Sequence, residues 1–164
     1  MALNEYHFVT HWRVRGTVAE ILQILSDPED LKRWWPSVYL DVTKRDDGTI
    51  ELFTKGWLPY TLRWSFRVTE ERTDGFSLDA IGDFVGHGDW RLTQDGELTD
   101  IVYDWRITAE KPLLRILSPI LKPIFGANHR WAMARGEESL KIELDRRHGL
   151  PARTPPQPTF WKKQ

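Results

Sequence analysis

The chain has 164 residues, of which 23 are basic and 24 acidic, which gives a formal net charge of −1. This length suits one domain with a real core, and the charge balance excludes a general nucleic-acid-binding protein. The absence of cysteine excludes disulfides, thiolate metal sites and a cysteine nucleophile. With no recognisable signal peptide and no apolar run long enough for a membrane span, we expect a cytoplasmic protein without stable membrane insertion.

The first predicted element is a half-buried strand. Apolar and polar side chains alternate from Tyr6 to Val14, which is typical of a strand with one face on the core. A short helix is expected over residues 17–26, because Thr17 and Glu20 have the spacing of a capping box and apolar residues follow at helical intervals.

Two adjacent tryptophans end a second short helix, which begins near Pro28. Pro36 forces Trp35 out of helical geometry, while Trp34 stays on the apolar face of the helix. The pair is either a hydrophobic plug between helix and sheet or an aromatic gate at the mouth of a pocket. Trp57, in the loop KGWLPY, is a further candidate for the rim of that pocket.

Six further strands follow, and their short linkers predict antiparallel pairing. They are expected at residues 38–44, 49–54, 60–70, 75–81, 85–93 and 98–107. The order of strand, two short helices, six strands and a long helix predicts an α+β domain over residues 1–147. The proline-rich segment over residues 148–164 is expected to be a C-terminal tail.

The pattern becomes helical from Pro112. We expect broken turns at Pro119 and Pro123 and a continuous helix from about residue 124 to residue 146. One face of this helix must cover the sheet, with Phe125, His129, Ala132, Met133, Gly136, Leu140 and Leu144 at three- and four-residue spacing. The sequence leaves open whether His129 is a hydrogen-bonded core residue or contacts a ligand.

An Asp-Gly pair at residues 95–96 predicts a two-residue hairpin loop. Counting back from this loop places Gly88 opposite Tyr103 and Gly86 opposite Trp105 on an apolar face. A glycine opposite a large ring leaves space beside the ring or lets the ring lie across the strand. We therefore expect a hollow on this face of the sheet.

The preceding turn allows two registers. A three-residue loop over residues 82–84 keeps one face of the hairpin apolar, and we prefer it for that reason. A two-residue loop would turn His87 and Asp89 inward and make both of them site candidates.

The sequence offers little for metal or cofactor binding. His7 and His11 share a strand face but lie about 13 Å apart, too far to hold one ion. The expected cross-strand pair of His87 and Asp104 needs no metal. Because a glycine-rich phosphate loop and a serine elbow are also missing from the sequence, we predict no cofactor and no metal.

A resemblance to a known family is carried by three stretches of the sequence: HWRVRGTVAEILQILSDPEDLKRWWP, GHGDWRLTQDGELTDIVYDWRI and KPLLRILSPILKPIFGANHRWAMARGEESL. Together they resemble the polyketide cyclase/dehydrase and lipid-transport branch of the START-like SRPBCC superfamily, over about residues 5–145. The resemblance implies a helix-grip fold, in which a curved seven-stranded antiparallel sheet wraps around a long C-terminal helix. It also implies a cavity for hydrophobic, often aromatic, small molecules near Trp35, Trp90, Trp105, His129 and Met133.

These observations favour binding of a small hydrophobic ligand, aromatic, polyketide or lipid-like, in an internal cavity of roughly 300–1,000 Å³. The candidate ligand-binding residues are Trp35, Trp64, Trp90, Tyr103, Trp105, His129 and Met133. The alternative is a polyketide cyclase/dehydratase-type enzyme, with His129 as the catalytic acid or base and Tyr103 as an orienting hydroxyl. A third class, an interaction protein, would need an exposed apolar patch. The ligand and the oligomeric state are left open.

Overall fold

A computed structural model describes residues 3–160, within which seven strands form one sheet. The strands are β1 (Glu5–Arg15), β2 (Tyr39–Lys44), β3 (Ile50–Lys55), β4 (Thr61–Arg72), β5 (Gly75–Gly82), β6 (Phe84–Asp95) and β7 (Leu98–Ala109). The helices are α1 (Val18–Leu25), α2 (Leu31–Trp34) and α3 (Pro112–Arg147), and a 3₁₀ turn at Pro28–Asp30 precedes α2. The predicted α+β helix-grip architecture is confirmed.

The strands lie in the order β1-β7-β6-β5-β4-β3-β2, and every neighbouring pair is antiparallel. Short connections explain the consecutive pairs, while β1 pairs with β7 across the length of the chain. Helix α3 runs beside the outer edge of β1, where Glu137 accepts a hydrogen bond from the Arg13 amide at 2.9 Å. This contact satisfies a polar group of an otherwise open sheet edge.

The predicted start of α1 is confirmed by its cap. The Thr17 hydroxyl accepts a hydrogen bond from the Glu20 amide at 3.2 Å, and the Glu20 carboxylate accepts one from the Thr17 amide at 2.8 Å. This reciprocal capping box satisfies two amides that would otherwise be free at the helix start.

The register between β5 and β6 follows the three-residue loop. Leu78 lies opposite Gly88, so the apolar residues of both strands share the concave face. His87 and Asp89 therefore lie on the convex face. There His87 contacts Asp79 at 2.7 Å, and Asp89 accepts a hydrogen bond from Arg72 at 2.8 Å.

The predicted register between β6 and β7 is wrong by two residues. Asp95 pairs with Leu98, and Gly96 takes the first position of the loop with a φ of 61°, which glycine adopts without strain. Gly88 consequently lies opposite Trp105, and His87 opposite Arg106. A shift of two residues keeps each side chain on its predicted face, because strand side chains alternate with a period of two.

The predicted breaks near the start of the long helix are also wrong, because α3 is continuous through Pro119 and Pro123. The two prolines are four residues apart and both are exposed, so they lie on one solvent-facing side of the helix. Water can there solvate the carbonyls of Arg115 and Pro119, which lose their intrahelical donors.

Both tryptophans of the WWP stretch are buried at 2% exposure, as expected of a plug between helix and sheet. The Trp35 ring lies directly on Gly136 of α3, where a Cβ atom would come within 2.3 Å of it. The absence of a side chain at Gly136 therefore allows the Trp35 ring to pack directly against the helix.

The tail has neither helix nor strand over residues 151–158, and it runs back along α3. Arg153 forms an ion pair with Glu138 of α3 at 2.8 Å, and the Thr159 hydroxyl donates a hydrogen bond to the Trp57 carbonyl at 2.8 Å. The domain boundary at residue 147 stays a prediction, and residues 161–164 of the predicted tail lie outside the described residues. Among the helices within residues 3–160, none is long and apolar enough to cross a membrane.

Candidate ligand-binding cavity

A cavity of about 100 Å³ lies between the concave face of the sheet and α3. The β-strands and the loops beside them contribute Tyr6, Phe8, Trp35, Val38, Tyr39, Thr54, Lys55, Gly56, Tyr60, Leu62, Trp64, Phe84, Tyr103, Trp105, Ile107 and Ala109 to its wall. Helix α3 contributes Leu114, Phe125, Asn128, His129, Ala132 and Met133. The wall is therefore mostly aromatic and aliphatic, with a few polar groups.

The half-buried rings in this wall mark its opening. Tyr60 and Phe125 meet edge to face at 6.1 Å between ring centroids, and Trp64 and Phe84 do so at 5.9 Å. These rings come from the start of β4, the start of β6 and the first half of α3. The cavity thus opens between one end of the sheet and the N-terminal half of the long helix.

Six of the seven predicted ligand-binding residues line the cavity: Trp35, Trp64, Tyr103, Trp105, His129 and Met133. Trp90 does not. Its ring lies behind Tyr103, stacked on it with 4.1 Å between centroids, and it also contacts Trp12 at 5.4 Å. Trp90 supports the wall from within the core.

The cavity is smaller than the predicted 300–1,000 Å³, because the rings fill much of the expected space themselves. Trp105 contacts Trp64 and Tyr103 with centroid distances of 5.6 and 5.7 Å. The Trp105 and Tyr103 rings also lie over Gly88, where a Cβ atom would come within 3.0 Å of them. Glycine on this strand thus lets the rings settle onto the sheet and does not leave a void.

His129 projects from α3 into the cavity wall and stacks on Phe8, with 4.0 Å between ring centroids. Its Nε2 atom is buried and has no hydrogen-bond partner within residues 3–160. Burial, and secondarily the positive charge of Arg130, lowers the pKa of His129 to about 4. The imidazole is therefore neutral at pH 7, with one ring nitrogen ready for a polar group of a ligand.

Four tyrosines line the cavity, and burial raises the pKa of each, so all four hydroxyls are neutral at pH 7. The Tyr6 hydroxyl bonds to Ser118 at 2.7 Å, and the Tyr60 hydroxyl accepts from the Asn128 amide at 3.3 Å. The hydroxyls of Tyr39 and Tyr103 make no hydrogen bond with any residue in the described range. A ligand can therefore meet up to three free polar groups: these two hydroxyls and the His129 ring.

Lys55 is a wall residue that the sequence reasoning missed. Its side chain is 3% exposed, and its ammonium donates to the carbonyls of Gly56 and Leu58 at 3.0 Å and to the Thr159 hydroxyl at 2.8 Å. Burial lowers the pKa of Lys55. The only signal in the sequence is the glycine that follows it, which lets the chain turn back over the side chain.

Asn128 also escaped the sequence reasoning. Its side chain accepts a hydrogen bond from the Leu58 amide at 2.9 Å, and it lies so close to Gly56 that a Cβ atom there would come within 2.5 Å of it. Asn128 thereby holds the loop after β3 against α3 beside the cavity. The exposed ring of Trp57 lies on that loop and contacts Phe160 of the tail at 6.1 Å.

The surface histidines form no metal site. His7 contacts Asp104 at 3.0 Å, a residue that the predicted register had placed opposite His87. Within residues 3–160, no group of three histidine or carboxylate side chains is arranged to hold a metal ion.

Comparison with known proteins adds evidence on the fold. No family model and no curated protein matches this sequence. Among solved structures, the Zhui aromatase/cyclase from Streptomyces sp. R1128 matches with a TM-score of 0.67 over 88% of this chain and 96% of its own, at 16% identity. This chain has the START-like helix-grip fold.

Two further structures share the START-like fold with this chain. A START superfamily protein from Mycobacterium smegmatis matches with a TM-score of 0.62, covering 85% of this chain and 97% of its own, at 15% identity. A conserved protein from Geobacillus kaustophilus matches with a TM-score of 0.69, covering 86% and 96%, at 14% identity. At such identities the likeness concerns the fold, and activity must be argued from the cavity itself.

Proposed function

We propose that this protein binds a small hydrophobic ligand, aromatic, polyketide or lipid-like, in the cavity under α3. The observation that carries the proposal is a ring-lined hollow that opens beside the long helix and contains few polar groups. Apolar walls with a small number of fixed polar atoms are the usual composition of small-molecule sites. The protein is proposed to act in the cytoplasm with this ligand as its partner.

The free polar groups restrict the chemistry of the ligand. His129, Tyr39 and Tyr103 are all neutral at pH 7, so they suit hydroxyl or carbonyl groups of the ligand and not a full charge. A ligand without any polar atom would leave these groups unsatisfied, which costs free energy in a buried site.

The volume restricts the size of the ligand. An engineered cavity of about 150 Å³ in another protein holds benzene, so about 100 Å³ suits no more than a single ring without movement of the wall. A larger ligand requires side chains to rotate. Met133 is the wall residue best suited to this, because its unbranched side chain has three rotatable bonds.

The second candidate function is a cyclase or dehydratase acting on a poly-keto compound. One structure that shares the fold, Zhui, is an aromatase/cyclase, and the partnerless Nε2 of His129 is the group that could accept a proton. A base whose conjugate acid has a pKa of about 4 is weak at neutral pH. Binding is therefore the primary proposal.

Filling the cavity tests the binding function. We expect 1-naphthol, an uncharged two-ring phenol that the cavity admits once Met133 rotates, to bind with a negative heat-capacity change in calorimetry, as burial of apolar surface requires. Ala132→Phe places a ring inside the cavity and should weaken this binding at least about tenfold. Ala134→Phe, on the exposed side of α3, is the matched control and should bind like the parent. Equal affinity of both variants would refute binding in this cavity.

Two measurements separate binding from catalysis. Native mass spectrometry of the purified protein should show a retained small molecule, and its mass identifies the ligand class. His129→Ala then distinguishes the two functions. If the variant loses turnover of a poly-keto substrate but still binds it, a catalytic role of His129 is supported. Unchanged turnover removes His129 from any mechanism.

A further inference from the structure

The N-terminal half of α3 carries an apolar ridge on its solvent side. Leu113, Ile116, Ile120 and Ile124 are 44%, 72%, 79% and 49% exposed. Their spacing of three, four and four residues places them in one row, which is about 16 Å long at the rise of an α-helix. Single exposed apolar side chains are common, but a continuous row marks a surface that contacts something apolar.

The charged side chains on this half of α3 are all positive. From Lys111 to Gly136 the sequence contains five lysines and arginines and no aspartate or glutamate, in a chain whose net charge is −1. Arg115 and Arg130 are exposed and form no ion pair with a residue in the described range. An apolar row flanked by unpaired cations is complementary to an anionic lipid surface, where the apolar side chains enter the headgroup region and the cations meet phosphates.

The same charges disfavour a second copy of this chain as the occupant. A two-fold interface brings identical patches together, so Arg115 and Arg130 would approach the same cations, and this half of α3 supplies no carboxylate to pair with them. The ridge is also entirely aliphatic, whereas the centres of protein interfaces are enriched in aromatic residues and methionine.

The ridge adjoins the opening of the cavity. Phe125, which forms part of the opening, follows Ile124 directly on α3. One turn further, Asn128 holds the loop that presents the exposed Trp57. A surface in contact with the ridge would therefore also lie beside the opening, and an apolar ligand could pass between the two without crossing much water.

We propose that the ridge of α3 docks this protein on anionic membranes and that the ligand enters the cavity from the bilayer. The docking proposal depends only on the ridge and the charges beside it. The entry route rests on the proposed ligand-binding function and makes a lipid-soluble ligand the expected class.

Vesicle sedimentation tests the docking. The protein should bind vesicles of equal parts phosphatidylcholine and phosphatidylglycerol, bind vesicles of phosphatidylcholine alone at least about tenfold more weakly, and release from the former at high salt. Ile120→Glu should weaken binding to the anionic vesicles by about tenfold or more. Leu113→Glu and Val68→Glu form a pair matched at 44% exposure, and only the former, on the ridge, should reduce binding.

Three outcomes would overturn the proposal. The first is anionic-vesicle binding that Ile120→Glu leaves unchanged. The second is a dimer, seen by analytical ultracentrifugation, that Ile120→Glu dissociates, which assigns the ridge to a second copy. The third is a parent that does not bind the anionic vesicles; salt-sensitive capture of an acidic protein by the parent and not by Ile120→Glu would then assign the ridge to that protein. Ala132→Phe separates the two functions, since a filled cavity should weaken ligand binding and leave vesicle binding intact.

Discussion

The interior of this protein has two ends that use the same residue type in opposite ways. At the closed end, Trp12 packs against Trp90 and Trp34 packs against Trp35, and each of these rings is buried. At the cavity end, Trp64 and Trp105 form a wall with space in front of it. Trp35 lies between the two ends and belongs to both.

The difference arises from what faces each ring. Trp35 contacts both Gly136 of α3 and Trp12. Trp90 contacts both Tyr103 and Trp12, so each of these rings has more than one partner. At the cavity end the facing helix residues include His129 and Met133, whose side chains do not fill the gap. Tryptophan content alone therefore does not predict a pocket, because the opposing surface decides whether a ring closes the core or lines a hollow.

The largest expected effect comes from removing one ring from each end. Trp90→Ala should lower the free energy of unfolding by about 3–5 kcal/mol, because the ring is in contact on all sides. Trp105→Ala should lower the free energy of unfolding by less, since its ring borders an existing hollow. It should also change the affinity for 1-naphthol, which Trp90→Ala should change little. Urea unfolding and calorimetry measure both effects. Identical results for the two variants would contradict the division into two ends.

The second prediction concerns His129 and pH. Its pKa is lowered on folding, so the unfolded chain binds a proton more readily, and stability must fall as pH decreases from about 6.5 towards 4. The loss should be about 1–3 kcal/mol, discounted because the ring is only partly shielded from water. His129→Phe retains the stacking on Phe8 and should remove this part of the pH dependence. A parent and variant with parallel stability curves between pH 6.5 and 4.5 would contradict burial of the imidazole.

The third prediction tests how the closed end is sealed. Gly136→Ala places a methyl group within 2.3 Å of the Trp35 ring and should cost about 1–2 kcal/mol, since the clash outweighs the better helix propensity of alanine. Gly126→Ala is the control on the same helix, where the nearest atoms are the flexible end of Arg130 at 3.3 Å and Phe8 at 3.8 Å. It should be neutral or stabilising in thermal unfolding. Equal destabilisation by both would mean that the Trp35 contact is not specific.

Local sequence patterns predicted the elements and faces of this fold well. Alternation placed β1 and the concave faces of β5 and β6, and the Thr17–Glu20 spacing placed the start of α1, because these features depend on residues close in the chain. The hairpin between β6 and β7 was predicted two residues out of register, since Asp95-Gly96 allows glycine at either loop position. Because a shift of two residues leaves each side chain on its predicted face, six of the seven predicted ligand-binding residues still line the cavity.

The candidate site was less accessible to sequence reasoning. The position of Trp90 behind Tyr103 and the small volume of the cavity depend on how rings from distant segments stack, which no local pattern records. Lys55 was missed for a related reason. Strand alternation predicts the convex side for it, opposite to Thr54, but at the turn before Gly56 it joins the cavity wall, and Thr159 of the tail covers it.

The smallest expected effect tests the cover over Lys55 at the cavity end. The Thr159 hydroxyl accepts from the Lys55 ammonium and donates to the Trp57 carbonyl, both at 2.8 Å, and has a longer contact with the Gly56 carbonyl at 3.4 Å, all of which Thr159→Val removes. We expect a loss of about 0.5–1.5 kcal/mol in urea unfolding, because Lys55 keeps its carbonyl partners. Trypsin should also cleave faster after Lys55, since cleavage needs this residue to become exposed. Thr154→Val, an exposed site on the same tail, should change neither property. If both variants are cleaved at the parent rate, the tail does not shield Lys55, and the cavity end is closed by the loop after β3 alone.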